Sequence, residues 1–220
     1  MENIPLSDIL AKMPVEELEQ SLNDFLAPMM EYLPEERLRR IVPEVVRGIL
    51  ARETPVIAAM AQSTPRQERS CWAGAKRIYR FIWNEHFNHH GLFKGLYRIA
   101  QRTVAEDNPE YLVIALDPVN LEKPYTKKLE GVSTVHKSTP PDLKGEARLA
   151  RGYPATTATV VNTAVPAISY LNWFSYQTAD FLSENREIQR SIRTTRWVFP
   201  GRKLRFVGDS GLDDQKNFAF

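Results

Sequence analysis

Cysteine is almost absent. One residue, Cys71, in a chain of 220 excludes an internal disulfide framework and a cysteine-built zinc site, so a metal here must be held by oxygen or imidazole. No run of 18 apolar residues occurs, and the first twenty residues lack both a basic stretch and an apolar stretch, so membrane spanning and export are not expected. Internal repeats and low-complexity tracts are missing too. What is present, 43% hydrophobic and 25% charged residues, can build a core, and the expectation is a cytosolic protein of one large or two small domains.

The net charge of +2 hides an uneven distribution. Residues 1–60 carry 6 basic and 11 acidic groups, whereas residues 61–105 carry 8 and 2. Residues 106–110 add three acids, and 111–220 hold 15 basic and 11 acidic groups. An acidic head followed by basic segments suggests a polyanionic partner, although solvated helices carry such runs as well.

Seven prolines up to Pro65 divide the first third into short helical segments. Met13-Pro14-Val15-Glu16-Glu17 and Leu33-Pro34-Glu35-Glu36 read as helix starts, with proline at the first helical position and carboxylates at the positive end of the dipole. Thr64-Pro65-Arg66-Gln67 reads as a capping box opening a helix over about 65–83. On that helix Trp72, Ala75, Ile78, Tyr79, Ile82 and Trp83 form the expected packing side, and Arg69, Lys76, Arg77 and Arg80 a cationic one. A second amphipathic helix over 92–104 precedes the polar stretch 105–110, where a boundary divides a helical, DNA-binding-type region (1–108) from a second domain (109–220).

From Tyr111 the period shortens. Tyr111–Asp117 is an apolar run ending in a carboxylate, the pattern of a buried strand. Residues 156–162 and 165–176 read as an antiparallel pair turning near Asn162-Thr163. A helix over 180–197, with Phe181, Leu182, Ile188, Ile192 and Trp197 inward, leads to the short strand Leu204–Val207 and then Asp209. The expected order is strand, strand, strand, helix, strand, with a long aperiodic stretch over 118–154 that invites a functional reading.

Asp117 and Asp209 are the informative pair, because a buried strand end is a costly place for an unpaired carboxylate. On parallel neighbouring strands both would emerge at one sheet edge, where Mg²⁺ (or Mn²⁺) is a natural counter-charge and can serve phosphodiester displacement. The plainer alternative is that each aspartate caps the loop or helix after it. Basic side chains near that edge, Lys127, Lys128, Lys137, Lys144, Arg148 and Arg151 in the long loop and Arg202, Lys203 and Arg205 before Asp209, are either solvated surface or phosphate contacts. For Arg69, Lys76, Arg77 and Arg80, DNA contact is favoured. Surface or helix-dipole roles are favoured for His86, His89 and His90, and core packing over base stacking for Trp72, Trp83, Trp173 and Trp197. Cys71 is expected to be a buried small hydrophobe, and Asp213 and Asp214 to serve a helix dipole.

The stretch Arg77-Ile-Tyr-Arg-Phe-Ile-Trp-Asn84, the strand 111–117 and Phe206-Val-Gly-Asp-Ser-Gly-Leu-Asp-Asp214 together resemble the DDE transposases of bacterial insertion sequences, of the insertion-sequence-four type. The resemblance covers roughly residues 45–220. It implies an α+β or α/β protein in which a helical region precedes an incomplete ribonuclease-H-like mixed sheet. Asp117 and Asp209 would be the first and second catalytic, metal-holding acids, and the partners would be transposon ends and target DNA. The family's second acidic residue and hydroxyl after the first aspartate are replaced here by Pro118-Val119-Asn120, and its late glutamate has no counterpart. The expectation is therefore a truncated, inactive copy with exposed apolar surface, prone to self-association or to joining an intact transposase, in the nucleoid-associated cytoplasm. The alternatives are a non-catalytic DNA-binding remnant or regulator, and a metal-dependent nuclease with Glu122 or Asp214 as third ligand.

Overall fold

Helices with charged outer faces make up most of the described residues before 108, and β-branched strands follow. In the computed structural model, which describes residues 15–63, 70–123, 128–137, 148–209 and 212, the chain forms two compact units, 1–98 and 99–220.

The first unit is helical. α1 (Val15–Met30) opens with Glu16 and Glu17 in its first turn, and α2 (Glu36–Arg52) follows from Glu35 as N-cap. Pro28 and Pro43 lie inside these helices rather than at their starts, and Glu53, at φ 50°, ends α2 in the left-handed region. A short α3 (Ile57–Met60) and a 3₁₀ turn (Ala61–Ser63) lead towards α4 (Cys71–Ile82), whose N-cap Ser70 accepts a hydrogen bond from the Ala73 amide at 3.1 Å. The capping box read at 64–67 lies outside the described residues. Leu26, Leu33, Leu38, Ile41, Val42 and Phe81 make one buried cluster. α5 (His89–Asp107) starts in this unit; Gly91 and Gly95, one turn apart, let its backbone approach Tyr32 and Met29, and a β-carbon at Gly95 would collide with the Met29 main chain.

The second unit is a mixed sheet of β1 (Leu112–Glu122), β2 (Ser133–His136), β3 (Leu149–Val160), β4 (Ala167–Trp173) and β5 (Leu204–Val207), with α6 (Glu184–Val198) before the last strand. β3 pairs antiparallel with β1 along its length; on its other side it takes β2 over residues 149–152 and β4 over 155–160. β5 is parallel to β1, as a helical crossover allows. Leu112, Ile114, Leu116, Ala158 and Val160 line one buried face, and α6 packs on β3 and β4 with Ile188, Ile192, Thr195 and Val198 inward. No described helix is long and apolar enough to cross a membrane.

Among the described residues four strands, not three, precede α6. The additional one, β2, lies in the stretch read as aperiodic; four residues are too few to show a period, and their partner on β3 is needed to define them. Leu182 and Trp197, expected inside, are exposed.

Candidate functional site

β1 is longer than its apolar run. It passes through Asp117 to Glu122 because β3 continues to pair with it, Asp117 opposite Thr157, whose Oγ1 donates to the Asp117 carbonyl at 3.2 Å. The shorter β5 pairs with only the first part of β1, ending at Ala115 opposite Val207. Asp117 and Asp209 each stand two residues beyond that last pair. Gly208 stays alongside, since a β-carbon there would lie 3.6 Å from the Leu116 carbonyl. Where the two strands pair their backbones lie about 5 Å apart, and the pairing stops before either aspartate.

Both aspartates are exposed. The desolvation argument for a compensating cation therefore does not hold; what singles the pair out is a matching position past the last β1–β5 pair, not burial. Alternation puts Leu112, Ile114 and Leu116 on the α6 side and Asp117 with the outward positions. A cleft of about 480 Å³ opens at the same level, lined among others by Pro118, Asn120, Thr156, Glu184, Ile188 and Asp209. Asp117 is not part of its wall. Glu122, five residues further along β1, is about 16 Å from Asp117 by strand rise and cannot share a metal with it; Asp213 and Asp214 lie outside the described residues.

The cleft has a braced rim. Tyr176 donates to Glu184 at 2.5 Å, and its phenol is pushed well above the usual tyrosine range, by burial first and then by that hydrogen bond and the carboxylate charge. Asn120 donates to the His136 carbonyl at 3.0 Å, tying β1 to β2. At the start of α6, Ser183 caps the Arg186 amide. One turn on, Glu187 is buried, with Asn172 and Arg190 donating to the same carboxylate oxygen at 3.2 and 3.0 Å. That buried acid was missed in sequence; the only available signal was its i,i+3 spacing to Arg190.

The basic residues divide by what they touch. Arg202 donates to Asn108 at 2.8 Å and to the Pro109 carbonyl, Lys203 lies 3.4 Å from Glu110, and the Arg205 guanidinium sits 4.1 Å from the Tyr111 ring centre. Arg202 and Lys203, just before β5, and Arg205 within it thus contact residues 108–111 at the start of β1. Lys128, Arg148 and Arg151 are exposed near the β2–β3 end of the sheet. Arg77 is held by Glu44 through two hydrogen bonds of 2.8 and 2.7 Å, whereas Lys76 and Arg80 are exposed on α4. Arg69, Lys127 and Lys144 lie outside the described residues.

α4 presents its faces differently from the sequence reading. Gly74, Ala75, Ile78 and Phe81 are buried, while Trp72, Tyr79, Ile82 and Trp83 are exposed. Trp173 and Trp197 are exposed as well, and so is Cys71. His86 lies 3.6 Å from both Glu35 and Glu85 in solvent, and among the described residues no group of three His, Cys, Asp or Glu side chains could hold a metal.

Neither a protein-family model nor a curated protein matches this chain.

Proposed function

We propose that this chain is a DDE-type transposase polypeptide with a ribonuclease-H-like sheet, acting on transposon ends and target DNA by Mg²⁺-dependent (or Mn²⁺-dependent) cleavage and strand transfer. The observation that carries the reading is that β5 runs parallel beside β1, with Asp117 and Asp209 each two residues past the last pair, Ala115 with Val207. The antiparallel run β1–β3–β4, followed by a helix that returns the chain to the other side of β1, supports it.

The donor chemistry fits the ion. Two solvent-exposed carboxylates, with no thiolate or imidazole required, suit a hard cation that keeps several waters and completes its shell with substrate phosphate. When bound, the ion supplies charge neutralisation at the phosphate and a more acidic attacking hydroxyl. The chain's own residues set the conditions for that. Asp117 and Asp209 would supply the oxygen donors, Asp209 from the wall of the cleft and Asp117 from the outward positions of β1. Lys128, Arg148 and Arg151 offer phosphate contacts that position a strand without reading its sequence. Arg202, Lys203 and Arg205 act indirectly, by keeping β5 in step with β1. In the reaction water attacks the scissile phosphorus and the 3′-oxygen leaves; that freed hydroxyl then attacks target DNA. Two acids are accounted for, and a third would come from elsewhere in the active assembly, a second copy included. The setting is the nucleoid-associated cytoplasm.

The test reads the metal site without needing turnover. With Fe²⁺ replacing Mg²⁺ and ascorbate present, hydroxyl radicals should cut the polypeptide beside residues 117 and 209, and Asp117→Asn or Asp209→Asn should abolish both cuts. Cleavage at unrelated positions, or cuts that persist in both variants, would overturn the reading. Mg²⁺-dependent nicking of supercoiled DNA that vanishes in the same variants would extend it to catalysis.

A further inference from the structure

Trp72, Lys76, Tyr79, Arg80 and Trp83 follow one another along the outer side of α4 at spacings of four, seven, eight and eleven residues, a single stripe on a helix. Burial runs the other way from expectation: Trp72 is 61% exposed and Trp83, just past the helix end, 81%. A tryptophan left in solvent forfeits its large apolar burial, and two on one stripe with a tyrosine between them form an unusual surface for a helix whose opposite side is already satisfied by Ile78 and Phe81. The rings are organised. Lys76 Nζ lies 5.3 Å from the Trp72 ring centre, and the Tyr79 and Trp83 centroids are 5.7 Å apart. Together the five side chains line a shallow open groove of about 810 Å³.

We infer that this stripe is a binding face for unpaired DNA, with Trp72, Tyr79 and Trp83 as stacking platforms and Lys76 and Arg80 as phosphate contacts. Alternating aromatic and cationic side chains match the alternating flat bases and anionic phosphates of a single strand, and such stacking tolerates any base. Charge complementarity points the same way: the stripe has two cations and no acid, within a segment, 61–105, of 8 basic and 2 acidic residues. Trp, Tyr and Arg would serve a protein partner as well, and what sets the stripe apart is Lys76 over the Trp72 ring, since lysine is depleted from the cores of protein interfaces. A duplex fits less well again, because its base faces are hidden. The span from Trp72 to Trp83 is about 16 Å along the helix axis, enough for several bases. The choice of DNA as the nucleic acid rests on the function proposed above; the stacking geometry does not involve the carboxylates.

The full chain should bind a 20-nucleotide oligo(dT) more tightly than a duplex of equal length, with quenching of tryptophan fluorescence. Trp83→Ala and Trp72→Ala should each weaken single-strand binding by about tenfold and leave duplex binding nearly unchanged; Trp83→Phe should retain most of the affinity. Lys76→Ala with Arg80→Ala should flatten the salt dependence. Single-strand affinity measured without divalent metal should equal that measured with it, so a failed metal site with intact stacking counts against the catalytic reading alone. Duplex bound as tightly as single strand, unchanged affinity in both tryptophan variants, or self-association that depends on Trp72 and Trp83 without any DNA binding would each overturn the inference. Circular dichroism melts of the variants, expected to match the parent, separate these results from misfolding.

Discussion

The helical unit and the sheet unit bury different things. Described residues of the helical unit bury leucine, isoleucine, valine and phenylalanine, and every buried polar side chain described, from Ser133 and Thr156 to Ser191 and Thr195, belongs to the sheet unit. There the hydroxyls are used: Ser169 bonds the Ala158 carbonyl and the Thr195 hydroxyl at 3.0 Å each, and Ser133, Ser175 and Gly131 form a second cluster. Apolar burial is non-directional and tolerates small shifts, whereas buried hydrogen bonds specify position. The unit in which the register of two aspartates matters is the one whose interior is pinned by directional contacts. The unit with an apolar interior keeps Phe81 inside and turns Trp72 and Tyr79 outward on α4, with Trp83 exposed just past its end.

The largest expected effect tests whether the helical unit depends on close approach. Gly95→Ala should cost about 3 kcal/mol or more, because the new methyl meets the Met29 main chain rather than a movable side-chain end. Hydrogen exchange should show the loss in residues 15–98 and leave the strands protected. Equal loss of protection in β1 and β3 would mean the two units do not respond separately.

A smaller effect probes the sheet unit. Ser169→Ala and Thr195→Val should each cost about 1–3 kcal/mol, since each strands a buried partner, and the double variant should cost less than the sum. Denaturant melts of the four proteins measure the coupling; strict additivity would show that the pair does not act as a unit.

The smallest effect is a matter of pH. The Tyr176 phenol, raised by burial and by Glu184, stays protonated in the folded chain where the unfolded chain ionises, near pH 10. Its contribution is therefore complete below that pH and is lost as pH rises towards the folded value. Tyr176→Phe should lower stability slightly at pH 7, where the bond to Glu184 is intact, and flatten the alkaline fall in stability; an alkaline slope identical to the parent's would remove the Tyr176–Glu184 contact as its source.

Element types were readable in the sequence where the period was strong. The helix containing Ile78, the antiparallel pair around Asn162 and the strand ending before Asp209 all stand in the structure. Which face of α4 packs was not readable, because both stripes are apolar enough; the small residues Gly74 and Ala75, which admit a close neighbour, were the better guide than the tryptophans. The inward face of α6 was misread for a related reason. Gln189, Ser191 and Thr195 are polar in composition yet buried, because β4 supplies Ser169 for Thr195 to bond.

Sequence alone determined that a helical region precedes a β-rich one, that oxygen donors are the only plentiful metal ligands, and that Asp117 and Asp209 follow apolar strand segments. Those are properties of composition and local period, which act within a few residues. Tertiary structure decided the rest: that β5 lies parallel to β1 with both aspartates two steps past the last pair, that Arg202 and Arg77 serve as internal ties, and that Trp72 and Trp83 face solvent. Each of these depends on which distant segment arrives as a neighbour, and that choice is made by packing and hydrogen-bond partners supplied from elsewhere in the chain.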